Sequence, residues 1–109
     1  MPQFVITGNY TAAAMKGMIA NPSDREAATR SLVEAAGGKM TSYYITSGDS
    51  DFMLLVDTDD SANLVPALMV AGASGTVSNL KTVRAYTSAE FLTAQKKAGE
   101  LASAFKSAG

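Results

Sequence analysis

Apolar and polar positions change their period several times along the chain, and each change marks an element. Residues 3–10, QFVITGNY, combine β-branched and aromatic residues without helical spacing, which predicts a first strand. Thr11 opens a short helical turn through Met18 and Ile19, closed by Asn21-Pro22. Ser23, Asp24, Arg25 and Glu26 read as a capping box, with Glu26 three residues after a Ser23 cap. The helix that follows places Ala27, Ala28, Leu32, Val33 and Ala36 on one face, and Gly37-Gly38 ends it.

Residues 39–46, KMTSYYIT, predict a second strand, Ser47 to Ser50 a turn, and residues 51–57, DFMLLVD, a third strand. A second helix starts near Asp59-Asp60-Ser61 and runs to about Ala73. Pro66 fits it best if Asn63 is the cap, because first-turn amides have no helical partner to lose. Residues 76–86 predict a fourth strand. Thr87 and Glu90 then form a capping box for a terminal helix, which carries Phe91, Leu92, Gln95, Ala98, Leu101, Ala102 and Phe105 along one stripe.

This order is β-α-β-β-α-β with a C-terminal helix, the α+β ferredoxin-like pattern. Right-handed crossovers put both helices on one face of a four-stranded antiparallel sheet, with strands one and three in the centre. Residues 1–90 form the domain and residues 91–109 its helical extension.

The other face of that sheet needs a cover. A half-exposed strand alternates apolar with polar residues, yet Phe52, Met53, Leu54, Leu55 and Val56 are apolar without a break. Phe4, Val5 and Ile6 repeat this on strand one, and Tyr43, Tyr44 and Ile45 add to it on strand two. Standard strand spacings give an open face of roughly 400 Å², the size at which an apolar patch marks an interaction site. Two such faces approach a standard interface once flanking loops and the last helix join in. The expectation is a two-fold homodimer. The competing arrangement is a monomer whose last helix folds over its own sheet.

Composition narrows the chemistry. Apolar residues make up 47% of the 109 and charged residues only 17%, which favours a further buried surface. Net charge is −1 from nine basic and ten acidic residues, so nothing attracts nucleic acid or an anionic membrane. There is no cysteine and no histidine. Disulfides, thiolate nucleophiles and the commonest zinc and haem ligands are excluded, and with them the usual general base. No metal or cofactor is expected. No stretch has the length of a membrane span, and MPQFVITGNY is not a signal peptide, so a cytoplasmic protein is expected.

The opening Met1-Pro2 with Phe4, Val5, Thr7, Tyr10 and Thr11 resembles the GYD domain family. So do Gly37-Gly38 before strand two, Gly48 and Asp51 before the apolar third strand, and Gly75 before strand four. The resemblance covers about residues 1–90. It implies a bacterial homodimer with its two sheets facing each other, a dimeric α/β barrel, and no assigned reaction. The wider superfamily includes cofactor-free oxygenases, haem-degrading enzymes and small-molecule sensors. The family's Gly-Tyr-Asp triplet is here Gly48-Asp49-Ser50-Asp51, so Ser50 stands where the aromatic is expected.

Several groups are candidates for a site. Asp51, at the mouth of an apolar strand, could serve as a base or bind a polar ligand group; the plainer reading is a hairpin in which Gly48 supplies positive φ and Asp51 a turn cap. Thr7, Asn9 and Tyr10 with Tyr43 and Tyr44 could line a small pocket, with the two adjacent tyrosines on opposite faces. The plainer reading is core or interface tyrosines with one hydrogen bond each. Lys81 and Arg84 point to opposite sides of strand four, which weakens a joint anion site. Pro2 could act as an amine base only as a free terminus, and Met1 precedes it. The methionines at 15, 18, 40, 53 and 69 read as filler, and the segment from Gly72 to Gly75 is no phosphate loop. The function expected is binding of a small, mainly apolar molecule, or a structural role. The alternatives are a cofactor-independent oxygenase or isomerase, and a protein interaction module.

Overall fold

A computed structural model describes residues 1–108. Four strands, β1 (Gln3–Tyr10), β2 (Lys39–Ile45), β3 (Phe52–Asp57) and β4 (Val77–Ala85), form one antiparallel sheet in the order β2-β3-β1-β4. The central pair is β1 and β3, as the split pattern requires. Two helices, α1 (Ala12–Ala20) and α2 (Arg25–Ala35), connect β1 to β2; α3 (Leu64–Ala73) connects β3 to β4, and α4 (Ser88–Leu101) follows.

Alternation fixes which side chains meet the helices. Phe4 and Ile6 of β1 are buried with Phe52, Leu54 and Val56 of β3, and Val33 of α2, Met40 of β2 and Leu64 of α3 complete the core. Both connecting helices therefore share one face of the sheet. Val5, Met53 and Leu55 point the other way and are only half-buried. Burying each core side chain removes apolar area from water worth about 1.5–3 kcal/mol.

Two bulges adjust the alternation. The pairing of β2 with β3 slips between Met40 and Ser42, so Thr41 is an extra residue. Met40 and Tyr43, an odd number of residues apart, therefore face the same side, opposite Val56 and Leu54. The pairing of β1 with β4 slips between Thr7 and Asn9. Asn79, across from that slip, takes φ 52°, a left-handed conformation that asparagine accepts more readily than most residues.

The helix starts are set by caps, and two differ from the sequence expectation. Asp24, not Ser23, caps α2: its carboxylate accepts from the amides of Glu26 and Ala27 at 3.0 and 3.3 Å. Asp60 caps a short 3-10 turn, Ser61–Asn63, ahead of α3. Asn63 precedes α3 but turns its amide back to the Thr58 hydroxyl, 3.1 Å away, so the fully buried Thr58 is satisfied. The Thr87–Glu90 capping box of α4 forms as expected.

Helix α4 does not fold over the open face of its own sheet. No residue of α4 is buried, and the molecule measures 60 × 32 × 22 Å. Its radius of gyration, 17.8 Å, exceeds the ~13 Å of a compact domain of this size, because α4 runs away from the body. Its first turn is tied back by Arg84 and Glu90, 3.1 Å apart. Among the described residues no helix is long and apolar enough to cross a membrane.

Candidate functional site

A cavity of about 340 Å³ lies between the sheet and the helices α2 and α3. That is within the range of small-molecule sites. Its walls are mostly aliphatic and include Leu32, Leu54, Leu68 and Leu80. The exposed Ala28, Val70 and Ser74 mark its rim.

The sheet end of the cavity is aromatic. The side chains of Tyr10 and Tyr43 converge over the ring of Phe52, which is buried on the strand between them. The Phe52 ring centre is 5.1 Å from that of Tyr10 and 6.5 Å from that of Tyr43, nearly parallel to the latter. Gly8 makes the space: a Cβ there would come within 2.6 Å of Phe52 Cζ and 2.9 Å of Leu80 Cδ2.

The two tyrosine hydroxyls are hydrogen-bonded at 2.5 Å. Burial, reinforced by the bond to Tyr10, pushes the Tyr43 phenol well above its ordinary value, against weaker opposing influences from Thr29 and Arg25. Tyr43 therefore stays protonated near neutral pH, where it can orient a ligand by hydrogen bonding but cannot act as a resident phenolate base.

The sequence candidates separate into three places. Tyr10 and Tyr43 meet in the cavity. Thr7 and Tyr44 lie on the open face of the sheet, both paired with Met53. Asn9 and Asp51 hold the strand ends together. The Asn9 amide donates to the Asp49 carbonyl at 2.9 Å, and its carbonyl accepts from Asn79 at 3.3 Å. The Asp51 carboxylate accepts from the Tyr10 amide at 2.9 Å, which makes it a cap on β1 rather than a lining group. Gly48 takes φ 114°, as the turn reading required. Ser50, where the resemblance leads one to expect an aromatic, does not line the cavity.

Lys81 faces the open side opposite Thr7. Arg84 lies opposite Phe4 on the helix side, with its guanidinium 4.4 Å from the Tyr86 ring centre. The described residues contain no group of acidic side chains placed to hold a metal ion.

Arg25 and Thr29 of α2 and Thr76 before β4 also line the cavity, and sequence reasoning missed them. In the sequence, Arg25 and Glu26 read only as part of a helix start. The signal is present nonetheless: Arg25, Ala28, Thr29 and Leu32 follow the i, i+3, i+4, i+7 spacing of one helix face. A cation and a hydroxyl thus interrupt an otherwise apolar stripe. Thr11 fixes the neighbouring loop, since its amide donates to the Thr76 carbonyl at 3.0 Å and its hydroxyl to the Gly75 carbonyl at 2.7 Å.

The family model of the GYD domain matches residues 4–94, from Phe4 on β1 into α4. Two solved structures are similar in shape. FFRP-DM1 is 16% identical over 79% of this chain and 100% of its own, with a TM-score of 0.48. TTHA0845 from Thermus thermophilus is 16% identical over 81% of this chain and 96% of its own, also with a TM-score of 0.48. No curated protein matches the chain. Because the family match spans most of the sequence, including the whole sheet apart from the first residue of β1, the chain belongs to the GYD domain family.

Proposed function

We propose that this protein binds a small, mainly apolar molecule in the cavity under α2 and α3, and does so as a homodimer joined through the open faces of its sheets. The observation that carries the ligand reading is the cavity itself: about 340 Å³, aliphatic walls, and a hydroxyl pair at one end. Apolar space with a few converging polar groups is how ligand sites are built. Binding is favoured over catalysis because no carboxylate lines the cavity among the described residues, and Tyr43 holds its proton.

The homodimer rests on two uncovered apolar surfaces. The open face presents Val5, Met53, Leu55 and the exposed Tyr44 and Val83. At roughly 400 Å², it supplies about half of what one partner contributes to a standard interface. The stripe on α4 supplies more, with Phe91, Leu92, Leu101 and the following Phe105 all exposed. A helix of 14 residues with no buried side chain is marginal in water by itself, so α4 needs a surface to lie on. A second copy of this chain offers both surfaces at once.

The fluorescent apolar amine N-phenyl-1-naphthylamine tests the ligand reading. Its emission should rise on mixing with the protein and fall back to the free-dye level in Ala71→Trp, which fills the cavity from its α3 wall. No rise, or an equal rise in the variant, would count against the cavity.

A further inference from the structure

The cavity meets a second hollow of about 380 Å³ beside α1, and both are lined by Tyr10, Arg25 and Thr76. The two spaces differ in character. The first is walled mainly by aliphatic side chains, whereas the second adds the more polar Asn21 and Ser23 to the small residues of α1. Arg25 stands at their junction.

The charge on Arg25 has no visible counterpart. Arg30 pairs with Glu26 at 3.2 Å, and Arg84 with Glu90 at 3.1 Å. Arg25 alone of the three arginines has no carboxylate at ion-pair distance among the described residues, although it is half-buried. A guanidinium partly withdrawn from water beside apolar walls loses hydration, and an anion compensates for that loss best. Its planar fork of N–H donors matches a carboxylate in shape. The positive charge also reaches into the cavity, where it favours the ionised form of Tyr43 against the stronger effect of burial.

We propose that the ligand is an amphipathic molecule with a single carboxylate head, held by Arg25 where the two hollows meet, and an apolar tail lying in the chamber under α2 and α3. This rests on the ligand reading above and adds the class of molecule. Tyr10 and Thr76, which line both hollows, are placed to give the head further hydrogen bonds.

Displacement of N-phenyl-1-naphthylamine from the full chain by octanoate, octanol and octylamine tests this. Octanoate should displace the dye at about one-tenth the concentration of octanol or less, the advantage of one charge-assisted pairing, and octylamine should be weakest. In Arg25→Gln, octanoate should lose its advantage over octanol when both are referred to that variant's own dye affinity, and Arg25→Lys should restore part of it. Equal displacement by octanoate and octanol, or an advantage that survives in Arg25→Gln, overturns the carboxylate assignment and leaves the cavity standing. Failure of the dye to bind the wild type removes the cavity reading itself, and this assignment with it.

Discussion

The hydroxyl oxygens of Tyr10 and Tyr43 lie 2.5 Å apart, although their strands are not neighbours in the sheet. They meet by reaching over Phe52 on the strand between. The pair closes one end of the cavity and couples the central strand β1 to the edge strand β2 on the helix side. Its alkaline behaviour follows from the Tyr43 phenol being held above its ordinary value by burial and by the bond to Tyr10. Below the unfolded tyrosine value, about pH 10, the resulting stability is fully present. It is lost as pH rises from there toward the folded value, because the unfolded chain releases the proton first. Thermal melting at about pH 8 and about pH 11 should show a smaller alkaline loss in Tyr43→Phe than in the wild type.

Gly8 is the position where backbone and ring come closest. Gly8→Ala would place a methyl within 2.6 Å of Phe52 Cζ. The ring and the Leu80 methyl, 2.9 Å from the same Cβ, must give way, and the space open to both is the cavity they line. Overpacking of this kind costs about 1–3 kcal/mol. Urea denaturation should show that loss, and dye binding in the cavity should weaken with it.

Leu54 and Leu55 are neighbours with opposite fates. Leu54 is 3% exposed beneath the helices, whereas Leu55 pairs with Val5 on the open face. Leu54→Lys should unfold the protein, because a core position cannot hold an unpaired charge. Leu55→Lys should leave the circular dichroism spectrum intact and convert a dimer to a monomer. Mass by light scattering reads this directly, and a wild type that is already monomeric contradicts the face-to-face pairing.

The exposed stripe on α4 gives a separate expectation. Ending the chain after Thr87 removes Phe91, Leu92, Leu101 and Phe105, so the proposed dimer should dissociate at lower dilution in analytical ultracentrifugation. Dye binding should be unaffected, since no α4 residue lines the cavity.

Much of the fold was legible because it is written in local pattern. The unbroken run from Phe52 to Val56 signalled a strand apolar on both faces, and it occupies the centre of the sheet. Thr87 and Glu90 specified their capping box three residues apart. The choice of Asp24 over Ser23 was not legible, because both types cap well and the path of the chain decides. The site was harder to read than the fold. The pattern points to Tyr10 and Tyr43, but equally to Thr7, Asn9 and Tyr44 beside them and to Asp51 as a separate group, and the sheet sends these four elsewhere. Which of Tyr43 and Tyr44 turns inward depends on the bulge at Thr41, and a bulge is a property of cross-strand register. The helix-face spacing groups Arg25 with Ala28, Thr29 and Leu32, but that this face lines a cavity together with Tyr10 and Thr76 is set by tertiary packing, which local spacing does not encode.

The most direct measurement is a backbone amide NMR titration of the full chain with N-phenyl-1-naphthylamine. The cavity account predicts shifts concentrated at Tyr10, Thr29, Tyr43, Phe52, Ala71 and their neighbours, with Val5, Leu55 and Val83 unmoved. Shifts centred on those three open-face residues, or no shifts at all, would contradict it.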